Sequence, residues 1–205
     1  MIAIVDYGAG NLTSVQLAFE KIGVKTMIAS AIKDIAAAEK IVFPGVGSAG
    51  AAMKNLGEMG LGDALAASVR WEVPFLGICL GAQIILERSE EDGGTACLGL
   101  LPGAVRRFSP PDRSVKVPQI GWNSVRFVRP HPVLEGLKDG TEFYFVHSYY
   151  PAPSSDSMIV GVTDYAGVSF SALTGWKNIV AAQFHPERSG RAGLRLLENF
   201  TRWNG

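Results

Sequence analysis

Two cysteines, three histidines and no net charge are the scarcities that narrow this 205-residue chain. Cys79 and Cys97 do not make a disulfide framework, and a reducing compartment, the cytoplasm, is expected. Nineteen Lys and Arg balance nineteen Asp and Glu, and no run of like charge forms a tail. That excludes nucleic acid or another polyanion as the main partner. No apolar stretch approaches the roughly 20 residues of a membrane span, so no membrane role is expected. The opening residues, Met1 to Asp6, lack the basic leader of a secretory signal. Glycine is plentiful at 24 residues but scattered without a period, which excludes repeats and low complexity. What remains is a chain that is 47% hydrophobic. It is expected to form one domain over residues 1–205, with no linker that would divide it.

The first half alternates strand and helix patterns. Ile2 to Val5, Lys25 to Ala29, Ile41 to Phe43 and Val73 to Ile78 are short apolar runs without polar alternation, as suits strands buried on both faces. Between them, Leu12, Val15, Phe19 and Ile22 share one helical face that Gly23 ends. Further helical stretches fall around residues 34–38, 51–56, 61–71 and 80–86. This order predicts an α/β fold with a mostly parallel central sheet and flanking helices. After about Gly93, short strand patterns follow one another at residues 104–108, 124–127, 142–146, 158–162 and 168–173. They predict an antiparallel layer added by the second half. Residues 179–184 return to buried-strand texture, and Leu194, Leu197 and Phe200 mark a closing helix. Gly8 and Gly10 give a faint phosphate-loop signal, but Thr13 stands where the third glycine of G-x-G-x-x-G belongs.

One stretch organises the chemistry. Gly77-Ile78-Cys79-Leu80-Gly81 places a cysteine on the turn from a buried strand into a helix, with glycines two positions away on each side. That is nucleophile-elbow spacing, where bulky side chains would collide with the turn. Helix amides directed at the sulfur would activate it. The competing reading is a structural cysteine between two packing glycines. A cysteine nucleophile needs a base, and the base needs an orienter. His131, before Pro132, reads as a solvated loop histidine. His147 ends a strand without a carboxylate close in sequence. His185 ends a buried strand, Pro186 keeps it out of helical geometry, and Glu187 falls on the same side of an extended chain. Glu187 can fix the imidazole as the third member of a triad does.

Gly77 to Gly81 followed by Gln83, with a distal His185-Pro186-Glu187, resembles the class I triad glutamine amidotransferases. Narrower motifs are similar to the glutaminase subunits of imidazole glycerol phosphate synthases. These are Asp6-Tyr7-Gly8-Ala9-Gly10-Asn11-Leu12-x-Ser14, Pro44-Gly45-Val46-Gly47, Ile120-Gly121-Trp122-Asn123 and Tyr144-Phe145-Val146-His147-Ser148-Tyr149. The resemblance covers essentially the whole chain. It implies that Cys79 attacks L-glutamine and forms a thioester, with His185 moving protons and Glu187 orienting it. Gln83, Ser148 and Tyr149 would bind the substrate. The amide of Leu80 and one from Gly45, Val46 or Gly47 would form the oxyanion hole. Gly45 and Gly47 can rotate cheaply whereas Val46 resists positive φ, so formation of that hole in the isolated chain stays open. The resemblance also implies a (β/α)8-barrel cyclase as partner, met through Asn11, Trp122, Asn123, Tyr144 and Arg188. No cofactor and no metal are implied. Three alternatives stand beside it: the glutaminase subunit of another amidotransferase, such as one serving pyridoxal phosphate synthesis; another cysteine-elbow hydrolase; and a non-catalytic binding subunit of the same fold.

Overall fold

The computed structural model describes residues 1–8, 11–112 and 114–205. The Gly10 position of the glycine pair thus lies outside the described residues, as does Ala9.

Strands β1 (Ile2–Val5), β2 (Thr26–Ala29), β3 (Lys40–Gly45) and β4 (Phe75–Cys79) alternate with helices α1 (Leu12–Lys21), α2 (Ile32–Ala36), α3 (Ala49–Glu58) and α4 (Leu61–Arg70). Helix α5 (Leu80–Ile84) follows β4 without a break. It is shorter than the 80–86 stretch predicted. The second half contains β5 (Arg88–Ser89), β6 (Thr95–Ala96), β7 (Gly103–Arg107), β8 (Gln119–Phe127), β9 (Thr141–His147), β10 (Tyr149–Pro153), β11 (Ile159–Tyr165), β12 (Val168–Trp176) and β13 (Ile179–Ala182), and ends in α6 (Gly190–Arg202).

The main sheet runs β2-β1-β3-β4-β13-β12-β11-β8-β9. Its first five strands are parallel, and each later pairing is antiparallel. The antiparallel part of the second half therefore takes two forms. Four of its strands extend the parallel sheet edgewise, and β10-β7-β5-β6 make a separate small sheet, in which β5 and β7, against the expectation, pair in parallel. Strand β13, last in sequence, inserts beside β4 and pairs Ala182 with Ile78. That insertion brings the two ends of the sequence signal, the elbow and the His185 turn, to one edge of the sheet.

Burial explains why the strand runs carry no polar alternation. Ile2 and Ile4 of β1, with Leu76 and Ile78 of β4, pack with Val15 and Phe19 of α1 and Leu196, Leu197 and Phe200 of α6. Ala3, Val5, Ile41, Phe43 and Phe75 face the other way, toward Ile35, Ala52, Leu56, Leu65 and Leu80. Successive residues point to opposite faces, and both faces are covered, so every position must be apolar. Each fully buried Leu, Ile or Phe here contributes about 1.5–3 kcal/mol of transfer free energy.

Candidate active site

Cys79 sits where β4 becomes α5, and its backbone is strained: φ is +53° and ψ −109°. An L-residue adopts such a conformation only when its surroundings impose it, and here the two glycines do so. A side chain on Gly81 would collide with the Phe43 carbonyl of β3, and a Cβ on Gly77 would lie 2.9 Å from the Gly81 carbonyl oxygen. The elbow can close only because both positions are bare. Gly45 pairs with Cys79 in the register of β3 and β4. A Cβ there would meet the Tyr7 hydroxyl and come 2.9 Å from Leu80 Cβ. The strand end that carries Val46 and Gly47 is thus pressed against the elbow.

A cleft of about 350 Å³ opens over the sulfur, lined among others by Val46, Gly47, Leu80, Gln83, Glu91 and His185. Ser148 and Tyr149 complete the wall that the motifs predict, and His147 joins it. Gly47 takes a positive φ of +91°, which its missing side chain permits. Cys79 Sγ lies 3.9 Å from the Val146 carbonyl oxygen and receives the Gln183 amide at 3.7 Å. Gln83 Nε2 donates to the Tyr149 carbonyl at 2.8 Å and to Gln183 Oε1 at 2.9 Å. Gln83 is therefore tied to the pocket wall by its own amide nitrogen.

His185 Nδ1 donates to Glu187 Oε1 at 2.8 Å, and the two side chains are 5% and 1% exposed. The Pro186–Arg188 turn folds Glu187 back beneath the imidazole. His185 Nε2 is buried and does not complete a hydrogen bond of ordinary geometry, yet Cys79 is near enough to act on it. Burial alone would lower the pKa of His185. Hydrogen bonding and negative charge from Cys79 and Glu187 outweigh it and raise the pKa to about 10. The other cysteine has no such setting: burial, helped by the Glu91 charge, pushes the Cys97 thiol up to about 11.

Three residues in or beside the cleft were not assigned from sequence. Gln183, fully buried, links Gln83 to the sulfur. His147 is buried among Phe108, Phe145 and Phe170. Its Nδ1 contacts the Tyr149 carbonyl at 2.7 Å; a carbonyl only accepts, so Nδ1 carries the proton. Glu91 reaches the cleft from the turn that follows β5. Its Oε2 accepts the Ala49 amide at 2.7 Å and, beside Asp92, caps α3. Burial raises its pKa, against the Ala49 hydrogen bond and with help from the Asp92 charge. Gln183 precedes His185 by two residues, an alternation that sequence could have used. Glu91 carries no local signal. His131 differs from the expectation of a solvated loop: it is half-buried edge-on against Trp203, and its Nδ1 caps the turn at Val133.

Some of the residues expected at a partner surface gather outside the cleft. Trp122 and Tyr144 are cross-strand neighbours in β8 and β9, with ring centroids 6.2 Å apart. The Arg188 guanidinium lies 5.6 Å from the Tyr144 ring. Trp122 is 54% exposed. The Tyr144 carbonyl accepts the His185 amide at 2.9 Å, so this patch adjoins His185. Asn123 is not part of the cluster. It faces the other side of β8 and donates to the Asp164 carbonyl at 3.1 Å. Asn11 begins α1 and accepts the Ser14 hydroxyl at 2.7 Å. Among the described residues, no cluster of His, Cys, Asp or Glu could hold a metal ion, and no helix is long and apolar enough to cross a membrane.

A strained cysteine and a histidine paired with a carboxylate meet in one cleft at the edge of an α/β sheet, and the chain belongs to the class-I glutamine amidotransferase family, whose sequence model matches residues 3–203. Within that family it is similar to "Imidazole glycerol phosphate synthase subunit HisH" of Dehalococcoides mccartyi, at 46% identity over 98% of this chain and 96% of the relative. The subunit of the same name from Thiobacillus denitrificans is 47% identical over 99% of this chain and 91% of its own length. Among solved structures, the fold matches one titled as a glutamine amidotransferase, with a TM-score of 0.76 at 17% identity over 98% of both chains. It also matches PurLQS from Thermotoga maritima, with a TM-score of 0.75 at 20% identity over 98% of this chain and 97% of that one.

Proposed function

We propose that this chain is the glutaminase subunit of an imidazole glycerol phosphate synthase, and that Cys79, His185 and Glu187 are its triad. Cys79 attacks the side-chain carbonyl carbon of L-glutamine. The oxyanion is met by the Leu80 amide and by one amide of the Gly45-Val46-Gly47 strand end. The imidazolium of His185 gives its proton to the leaving nitrogen, the C–N bond breaks, and ammonia and a γ-glutamyl thioester result. Water then attacks the thioester, His185 takes up its proton, and glutamate leaves as the sulfur is freed. Glu187 holds the Nδ1 proton throughout and stabilises the imidazolium. Gln83, Ser148 and Tyr149 shape the substrate pocket, and the Glu91 carboxylate fits the substrate's α-ammonium group.

Ammonia would pass to a cyclase subunit of (β/α)8-barrel form that docks over Trp122, Tyr144 and Arg188, with Asn11 as a further proposed contact. Trp, Tyr and Arg are the residue types enriched at interface hot spots. The reaction belongs to histidine biosynthesis, a cytoplasmic pathway. One observation carries the reading: the elbow cysteine shares its cleft with a buried histidine held 2.8 Å from a buried carboxylate.

The test is glutamate release by the chain alone, with a cyclase, and with the cyclase plus its nucleotide substrate. Cys79→Ser nearly conserves volume but replaces the thiolate with a far weaker nucleophile. It should abolish glutamine-dependent synthesis in the complex while synthesis from ammonium salts persists. Retained glutamine turnover in Cys79→Ser overturns the triad. Loss of both syntheses in an intact complex overturns the division of labour.

A further inference from the structure

Glu187 has two carboxylate oxygens, and the triad uses one. Oε1 accepts from His185, while Oε2 is buried with no hydrogen-bond partner among the described residues. The side chain is 1% exposed. A buried anionic oxygen left unpaired is costly, and native structures satisfy almost all such atoms. Glu187 also forms one wall of a second cleft, which does not include Cys79. That cleft, of about 190 Å³, lies between α1 and α6 and is lined by Ser14, Leu17, Ala18, Lys21, Gly190 and Leu194 besides Glu187. Ser14, Leu17, Ala18 and Lys21 recur at helical spacing, so one face of α1 supplies its floor.

The polar groups there have complementary demands. Ser14 closes the Asp6–Ser14 motif, and the reaction gives it no role. Its hydroxyl hydrogen is committed to Asn11 Oδ1 at 2.7 Å. Its oxygen can then only accept, as can Glu187 Oε2. Ser14 and Glu187 both line the cleft, and a molecule with two donors would satisfy both acceptors. Water is that molecule, and the cleft exceeds the roughly 30 Å³ that one water occupies. Lys21 offers a further donor and a positive charge on the same wall.

We propose that the α1–α6 cleft is a water site behind the triad, and that Ser14 is a positioning residue for Glu187. The water donates to Ser14 Oγ and Glu187 Oε2 and so fixes the plane of the carboxylate. That plane aims Oε1 at His185 Nδ1, and the aim of the imidazole at Cys79 follows from it. Catalytic groups act only when held in place by such supporting contacts. The proposal rests on the triad reading above.

The experiment compares wild type, Ser14→Ala, Ser14→Thr and Cys79→Ser in complex with the cyclase, with glutamate release as the readout. Ser14→Ala should lower kcat about three- to tenfold, the size of one lost hydrogen bond. KM for glutamine should stay unchanged, because the cleft does not touch substrate. Ser14→Thr keeps the acceptor oxygen and should restore kcat. The proton resonance of the His185–Glu187 hydrogen bond should shift in Ser14→Ala and return in Ser14→Thr, which a merely structural role in α1 would not produce. A high-resolution crystal structure of the complex should show the bridging water. Wild-type kcat in Ser14→Ala, a Thr variant no better than Ala, or a crystal structure with no water on Oε2 overturns the proposal. Unchanged turnover in Cys79→Ser overturns the triad reading instead, so the two failures are distinct.

Discussion

His147 and His185 border the same cleft, and their surroundings drive them to opposite protonation states. Burial lowers the pKa of His147 to about 4, opposed by its Tyr149 hydrogen bond and aided by the charge on His185. His185 is equally enclosed, but Cys79 and Glu187 reverse the effect of burial and raise it to about 10. The difference is the company each ring keeps. A backbone carbonyl partners one, and a thiol and a carboxylate partner the other. One cleft thereby holds a neutral imidazole that can accept a hydrogen bond and an imidazolium that can donate a proton.

That separation has a consequence for stability. His131 is also lowered to about 4, by burial and then by the Arg129 charge. In the unfolded chain all three histidines titrate near 6.5. Below that value the unfolded chain binds protons on His131 and His147 that the folded chain refuses, so stability falls as pH drops from about 6.5 toward 4. His185 acts on the other side. Its contribution is complete below about 6.5 and is lost as pH rises through its folded value of about 10. Urea unfolding at pH 7.0 and 4.5 should show the acid loss. His131→Asn should remove one of the two histidine protons from it, flattening the dependence by up to about 1.4 kcal/mol per pH unit. Carboxylates act alike in both proteins and cancel in the comparison. Identical slopes would mean that His131 is protonated in the folded chain.

The elbow gives a second prediction. Gly81 packs against the Phe43 carbonyl with no room for a Cβ, and both partners are backbone, which cannot swing aside. Gly81→Ala must push α5 away from β3 or distort the Cys79 turn. Overpacking of this kind costs about 1–3 kcal/mol, and it also displaces the Leu80 amide proposed for the oxyanion hole. Thermal unfolding should show a lower Tm, and glutamine turnover should fall even well below the new Tm. Gly57→Ala is the control. Nothing lies within 4 Å of a Cβ at that helical position, so Tm should hold or rise. Wild-type Tm and turnover in Gly81→Ala would show that the bare position is not required.

How much of this was legible in the sequence depends on the range of the interaction involved. The parallel core was readable because β1, β3, β4 and β13 are buried on both faces, which forces unbroken apolar runs. The elbow and the His185 turn were readable because glycine spacing and a His-Pro-Glu order are local. Strand β10 was not anticipated. Tyr149-Tyr150-Pro151-Ala152-Pro153 carries two prolines, which discourage a strand reading, yet Tyr149 to Pro153 pairs in full with Gly103 to Arg107. The solvated reading of His131 failed for a similar reason, since the Trp203 ring that covers it comes from the far end of the chain. Glu91 was missed because its role exists only once the residue-91 turn caps α3, whereas Gln183, two residues before His185, lay within reach of the same alternation.

Glu91 supplies the last prediction, and its double duty sets the design of the test. The carboxylate lines the cleft over Cys79 and at the same time accepts the Ala49 amide that opens α3. Glu91→Gln keeps the size and an acceptor oxygen for Ala49 but removes the negative charge. If that charge holds the substrate's α-ammonium, KM for glutamine should rise about tenfold, within the range of a lost hydrogen bond to a charged group. kcat should change less, because the contact is made alike in the ground and transition states. Loss of the helix cap alone would instead lower Tm and disturb every substrate equally. A substrate lacking the α-amino group separates the two. The wild type should bind it as poorly as the variant does, so the KM penalty of Glu91→Gln should vanish with it. A penalty of the same size on both substrates would assign Glu91 to the cap of α3 and remove it from the substrate site.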